Sequence, residues 1–111
     1  MEITTRTVGK GVVLDCSGKI TLGPATMTVR NAIREAIQGG NRKLVLNLKD
    51  VPYIDSSGIG ELVSSYTHVC NQGGKMVLLS PSKRVREPLA ITKLITVFEV
   101  FEDEKLALEG S

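Results

Sequence analysis

Two short apolar runs, each preceded by a pair of glycines, most strongly constrain the fold of this chain. The runs are residues 44–48 and 76–79, and the glycine pairs are Gly39-Gly40 and Gly73-Gly74. Glycine adopts the left-handed conformation that ends a helix at little cost, and a short apolar run between turn signals is typical of a buried strand. The repeated order of helix, glycine pair and strand predicts an α/β domain.

A hairpin is predicted ahead of this repeat. Residues 12–17 alternate in a way that is typical of a strand with one wetter face, and Gly9-Lys10-Gly11 joins them to an earlier strand. The hairpin and the helix–strand repeat together indicate a mixed β-sheet with helices packed on it.

The remaining predicted elements follow in chain order. Strands are predicted at 2–8, 12–17, 44–48, 76–79 and 96–101. Helices are predicted from Pro24 to the first glycine pair, at 58–71, from 80–82 to about Leu89, and from 102–104 onward. Pro88 is expected to kink or end the third helix, because proline removes a backbone donor.

The composition excludes several classes of protein. The 111 residues suffice for one domain, placed at residues 1–111, and a net charge of +2 does not favour direct nucleic-acid binding. Cys16 and Cys70 stand apart from any Cys or His cluster and both suit buried positions, so we expect no metal site, cofactor or disulfide. No apolar stretch approaches ~18 residues, and we expect a cytoplasmic protein without a signal peptide or membrane insertion.

One segment has a pattern suited to chemistry, and it joins a buried strand to a helix. The segment Asp55-Ser56-Ser57-Gly58-Ile59-Gly60 places two hydroxyls at a helix start, where unpaired N–H groups favour an anion. A phosphate on either serine would add roughly −1.5 to −2 charges beside Asp55. The alternative interpretation is that one serine is only an N-cap and Gly60 only a packing position, since Ser and Asp are common caps.

This motif in its context resembles the signature of bacterial anti-sigma factor antagonists, the STAS-domain family. Residues 14–20, Leu-Asp-Cys-Ser-Gly-Lys-Ile, resemble the family's second strand, residues 44–48 the strand before the phosphorylation loop, and residues 73–78 the next helix-to-strand passage. The resemblance covers nearly the whole chain and implies a single STAS-like domain. It also implies binding to an anti-sigma factor that is often a serine kinase. That kinase phosphorylates the antagonist and releases it, and a serine phosphatase resets the cycle.

The resemblance also implies roles for individual residues. Ser56, the first serine after the aspartate, is the implied phosphoacceptor, and Ser57 is the second candidate. The implied partner-binding residues are Thr21, Asp55, Ser56, Ser57, Gly58 and Ile59. The chain departs from the family at two positions: Thr21 stands where members often carry an aspartate before the first helix, and Pro88 lies within the third helix.

Two other functions are alternatives to this interpretation. One is a STAS regulatory subunit of another complex, such as a lipid-transport ATPase or a stress-signalling scaffold. The other is a small enzyme that uses Ser56 as a nucleophile. The pattern Gly-x-Ser-x-Gly is absent, and His68, the one histidine, lies about 15 Å along the predicted helix from its start. The sequence therefore predicts a binding module and not an enzyme, and any ATP belongs to the kinase partner.

Overall fold

Five strands form one sheet in the order β1-β2-β3-β4-β5 in the computed structural model, which describes residues 1–109. The elements are β1 Glu2–Val8, β2 Gly11–Ser17, α1 Pro24–Gln38, β3 Lys43–Asp50, α2 Ser56–Asn71, β4 Lys75–Leu79, α3 Lys83–Ile91, a 3-10 turn Leu94–Thr96, β5 Val100–Phe101 and α4 Glu104–Glu109. β1 pairs with β2 antiparallel, and the other three pairs are parallel. The predicted α/β class and mixed sheet are confirmed.

The parallel strands bring three loops together at one end of the sheet. Each parallel connection runs through a helix, namely α1 after β2, α2 after β3 and α3 after β4. The carboxyl ends of neighbouring parallel strands lie at the same edge, which is where ligand and partner sites of α/β sheets usually form. The loop before α1 and the loop before α2 are therefore neighbours in space, although 33 residues separate Leu22 from Asp55.

The alternation of side chains along the strands divides the core between the two faces of the sheet. Val12, Leu14 and Cys16 of β2 belong to the larger cluster, which also contains the buried side chains of α1, α2 and α3. Val13 of β2 belongs to a smaller cluster with Ala107 of α4. Three helices thus cover one face and α4 packs against the other, so that Val13, on the face of β2 predicted to be wetter, is fully buried.

Two predictions for the C-terminal third of the chain need correction. The third helix, predicted to run to about Leu89 and to be kinked or ended by Pro88, continues past the proline to Ile91, since Val85 and Leu89 are fully buried and anchor it on both sides of Pro88. The last strand is much shorter than predicted, because residues 94–96 form a 3-10 turn and the side chain of Phe98 is buried in the core.

The two cysteines differ in their surroundings. Cys16 is buried as predicted, and burial raises the pKa of its thiol to about 12. Cys70 is exposed, contrary to prediction, because the preceding residue, Val69, takes the core-facing position of α2. Within residues 1–109 no helix combines the length and apolarity needed to cross a bilayer.

Candidate functional site

The two candidate phosphoacceptors lie in the first turn of α2, which follows β3 after the loop of residues 51–55. Ser56 is exposed and Ser57 is half-buried. Neither serine is the cap of the helix, because Asp55 occupies that position. The interpretation of a serine as only an N-cap is therefore wrong, and the first exposed side chain of the helix is a hydroxyl beside a carboxylate.

Asp55 joins two loops through its two carboxylate oxygens. Oδ1 accepts a hydrogen bond from the backbone N–H of Gly58 at 2.8 Å, and Oδ2 accepts one from the backbone N–H of Leu22 at 3.0 Å. These backbone donors, first Gly58 and then Leu22, hold the pKa of the Asp55 carboxyl below its usual range. The carboxylate keeps its negative charge next to Ser56 and ties the loop before α1 to the start of α2.

A second set of bonds connects the same two loops from beneath. Ile20 and Ile54 form an isolated parallel bridge, and both side chains are buried. The backbone N–H of Ile20 donates to the carbonyl of Tyr53 at 3.1 Å, and that of Asp55 donates to the carbonyl of Ile20 at 3.3 Å. The first turn of α2 therefore has a fixed position relative to residues 20–22.

The two glycines of the motif have different roles. A Cβ on Gly58 would lie 2.2 Å from the carbonyl oxygen of Ile20 and 2.6 Å from Cγ1 of Ile54. A Cβ on Gly60 would have nothing within 4 Å. Gly58 permits the close approach of the helix to the neighbouring loop, whereas the interpretation of Gly60 as a packing position is wrong.

The predicted partner-binding residues are brought together, but at different depths. Ser56 is exposed, and Thr21, Asp55 and Ser57 are half-buried. Gly58 and Ile59 are buried, so these two shape the site from below its surface.

Sequence reasoning missed an exposed apolar side chain at this site. Leu22 is 79% exposed and follows Thr21 in the loop that Asp55 holds. Met27, one turn into α1, is 47% exposed. A second apolar residue in the loop, placed between Thr21 and Gly23, was the available signal. These side chains extend the surface around Ser56 toward α1.

Sequence reasoning also missed a buried charge between α1 and α2. Glu61 is 4% exposed and pairs with Arg30, whose Nη2 lies 2.7 Å from Oε1. Ser65 donates from Oγ to Oε2 of Glu61 at 2.7 Å. The signal was a carboxylate between Ile59 and Leu62, within the apolar stripe of α2.

The histidine of the chain lies far from Ser56. His68 lies in the last turn of α2, and twelve residues at 1.5 Å each place it about 18 Å along the helix from Ser56. Over residues 1–109, no group of three His, Cys, Asp or Glu side chains is arranged to hold a metal ion. The distinctive chemistry of the site is an exposed hydroxyl beside a fixed carboxylate.

Comparison with known proteins identifies similar chains. The sequence profile of the STAS domain matches residues 2–107. The chain is 31% identical over 98 residues to a Thermotoga neapolitana protein described as a candidate anti-sigma factor antagonist, with 88% of this chain and 87% of that protein covered. It is 29% identical over 98 residues to the anti-sigma F factor antagonist of Paenibacillus polymyxa, with 87% and 83% covered.

The structure is also similar to solved structures. Against the anti-sigma factor antagonist SpoIIAA in its unphosphorylated form the TM-score is 0.81 at 23% identity, covering 98% of this chain and 95% of the other. Against the phosphorylated form of the Bacillus protein the TM-score is 0.74 at 22% identity, covering 98% of each chain. At this level of identity the likeness establishes a shared fold.

Proposed function

The chain belongs to the STAS domain family and is homologous to its anti-sigma factor antagonists, and from this premise we propose that it is an antagonist switched by phosphorylation of Ser56. In its unmodified form it binds an anti-sigma factor that has serine kinase activity, and the sigma factor is freed. The kinase transfers a phosphoryl group to Ser56 and the complex dissociates. A serine phosphatase restores the binding form.

The observation that carries this proposal is the position of Ser56. Its side chain is exposed in the first turn of α2, next to a carboxylate that two backbone N–H groups keep ionised. A phosphate there adds roughly −1.5 to −2 charges, which with Asp55 concentrates nearly three negative charges on a small surface. A partner surface that fits the neutral hydroxyl loses affinity when it must desolvate this charge. Phosphorylation of Ser56 therefore causes the complex to dissociate.

Similar proteins also support the proposed phosphorylation cycle. SpoIIAA, whose fold is similar, has been solved both without and with a phosphate. The names of the Paenibacillus and Thermotoga relatives describe antagonists of anti-sigma factors. We carry the kinase, phosphatase and anti-sigma partners over to this chain as part of the proposal.

The proposed contact surface is centred on Ser56 and includes an apolar anchor. Thr21, Asp55 and Ser57 surround the phosphoacceptor, and Gly58 and Ile59 support it from below. Leu22 adds an apolar side chain held in place by Asp55. Apolar anchors that become desolvated contribute most of the binding energy of many interfaces, so Leu22 suits the centre of the contact.

The proposal assigns no catalysis, cofactor or direct nucleic-acid contact to this chain and places it in the cytoplasm. A serine nucleophile needs a base within hydrogen-bond reach, and His68 lies at the far end of α2. The chain acts as a substrate and ligand of its partners.

The decisive experiment is a kinase assay with the serine-kinase anti-sigma factors of the source organism and ATP, followed by mapping of the phosphate. We expect phosphate on Ser56 in the unsubstituted protein and in Ser57→Ala, and in Ser56→Ala no phosphate except on Ser57. Ser56→Asp should weaken binding to the same kinase, and Ser56→Ala should preserve it. Phosphate located away from Ser56 and Ser57, or capture of a transporter ATPase in place of an anti-sigma kinase, would contradict the proposal.

A further inference from the structure

The contact between α1 and α2 contains a carboxylate in an unusual place for an ion. Glu61 is 4% exposed, and its Oε1 lies 2.9 Å from Nε and 2.7 Å from Nη2 of Arg30. Its Oε2 accepts a hydrogen bond from the hydroxyl of Ser65. A buried carboxylate is tolerated when charged and polar donors satisfy it in this way. The Arg30 side chain is consequently fixed in direction, although 42% of it is exposed.

One nitrogen of the Arg30 guanidinium donates its hydrogen bond to a weak acceptor, the thioether of Met27. While Nε and Nη2 face Glu61, Nη1 donates to the thioether Sδ of Met27 at 3.7 Å. A thioether is a weak acceptor, whereas guanidinium groups form short, strong bonds with phosphate oxygens. Arg30 therefore has donors that a phosphate can take without breaking the pair with Glu61.

Ser57 lies on the same side of α2 as this pair. It precedes Glu61 by four residues, which places both side chains on one helix face. Ser57 and Arg30 line one groove between α1 and α2, and the hydroxyl residues Thr26 and Ser64 line it too. We call this the α1–α2 groove. It offers a fixed guanidinium and the Ser64 hydroxyl beside a half-buried serine. The Glu61 carboxylate that pairs with Arg30 lines it as well, and the hydroxyl of Thr26 donates to the carbonyl of Gly23.

We propose that the α1–α2 groove binds a phosphoryl group carried by Ser57, with Arg30 as its charged ligand. The inference rests on the proposed function only for the serine kinase that supplies the group. In that transfer Oγ of Ser57 bonds to the γ-phosphorus of ATP, the bond to the β–γ bridging oxygen breaks, and ADP leaves. The hydroxyl proton passes to a base of the kinase.

The two serines then give different signals from adjacent positions. A phosphate on Ser56 stands on the exposed side beside Asp55 and repels the partner. A phosphate on Ser57 turns into the groove and is partly neutralised by Arg30, so it disturbs partner binding less. Modification of Ser57 is thereby distinguished from the release signal.

The test uses the full chain with phosphoserine installed by genetic code expansion at position 57 or, as the matched control, at position 56. The second pKa of each phosphate, ordinarily near 6, is measured by a ³¹P NMR pH titration. We expect the phosphate on Ser57 to titrate roughly 0.5–1 unit below that on Ser56, because a nearby guanidinium favours the dianion. The ¹⁵N resonances of the Arg30 guanidinium should move only when position 57 is phosphorylated.

Two variants distinguish the effect of Arg30 on the phosphate pKa from the general effect of the helix N-terminus. Glu61→Gln removes the competing carboxylate and should lower the phosphate pKa at position 57 further. Arg30→Gln combined with Glu61→Gln keeps a neutral hydrogen-bonding pair and should raise the phosphate pKa at position 57 toward its ordinary value, while the phosphate pKa at position 56, beside Asp55, should not change. Equal phosphate pKa values at 56 and 57 in the otherwise unsubstituted chain, with Arg30 resonances unmoved, overturn the inference even if the double variant does not fold. None of these measurements needs a partner, so they stand apart from the kinase assay on Ser56.

Discussion

Asp55 caps α2 with one carboxylate oxygen and holds the backbone N–H of Leu22 with the other, at 3.0 Å. One side chain thus sets both the start of the helix that presents Ser56 and the loop that presents the most exposed apolar residue nearby. Charge and apolar contact at the proposed interface depend on the same carboxylate.

Substitution of Asp55 should release the loop before α1. Asp55→Asn keeps one acceptor oxygen of the side chain and can retain the cap, but it cannot accept both N–H groups as a carboxylate does. Amide hydrogen exchange at Leu22 should become faster in Asp55→Asn, and exchange at both Leu22 and Gly58 should become faster in Asp55→Ala. Asp103→Ala is the matched control, since Asp103 accepts the N–H of Leu106 at the start of α4. Unchanged exchange at Leu22 in Asp55→Ala would show that Asp55 does not hold the loop.

The two motif glycines should respond oppositely to alanine. Gly58→Ala places a Cβ within 2.2 Å of the Ile20 carbonyl oxygen, and relieving such a clash typically lowers the free energy of unfolding by about 1–3 kcal/mol. Gly60→Ala meets nothing within 4 Å, and alanine in a helix interior should raise the free energy of unfolding by about 0.5–1 kcal/mol. Urea denaturation of both variants measures the difference. Equal effects of the two substitutions would contradict the close approach at Gly58.

Leu22 should matter for binding and little for folding. Because 79% of its surface is exposed, Leu22→Ala should change the free energy of unfolding by less than about 0.5 kcal/mol. Affinity for the anti-sigma partner should fall roughly tenfold, as expected for an anchor worth more than about 1 kcal/mol. Leu106→Ala is the control, since Leu106 is 56% exposed on α4. Isothermal titration with each variant gives the comparison, and an equal loss of affinity in both would remove Leu22 from the interface.

Stability should decline at acid pH partly through Asp15. Its bonds to Arg6, with a smaller contribution from Asn47, lower the pKa of the Asp15 carboxyl in the folded protein. The unfolded chain therefore binds the proton first as pH falls, so the stabilisation is complete above the ordinary aspartate pKa of about 4 and is lost as pH falls toward the folded pKa. Thermal unfolding of Asp15→Asn should depend less on pH below about 4 than that of the unsubstituted protein. Asp50→Asn, at the exposed end of β3, is the control, and parallel pH profiles for Asp15→Asn and the unsubstituted chain would refute the assignment.

The elements that were predicted well are those whose signals are local. The glycine pairs and apolar runs located α1, α2, β3 and β4, because helix ends and buried strands depend on neighbouring residues. The prediction at Pro88 failed because it considered only this local effect. The proline removes one backbone hydrogen bond of α3, but burial of Val85 and Leu89 outweighs that loss.

The parts of the site that were missed depend on distant residues. Arg30 and Glu61 are 31 residues apart in sequence, and although a carboxylate within the apolar stripe of α2 is a signal for a buried charge, no local pattern identifies Arg30 as its partner. The requirement for glycine at position 58 comes from the carbonyl of Ile20. The exposure of Cys70 was decided by which of two adjacent residues, Val69 or Cys70, turns toward the core.

The sequence by itself determined the order of elements, the α/β class and the location of two serines at the start of a helix, because periodicity, glycine and capping residues act over one or two turns. Only the tertiary structure decided that Asp55 is the cap, that it holds Leu22, and that Ser57 shares a groove with Arg30 while Ser56 faces outward. The physical reason is the parallel sheet. It places the ends of β2 and β3 side by side, and bonds across that edge join residues that no local pattern connects.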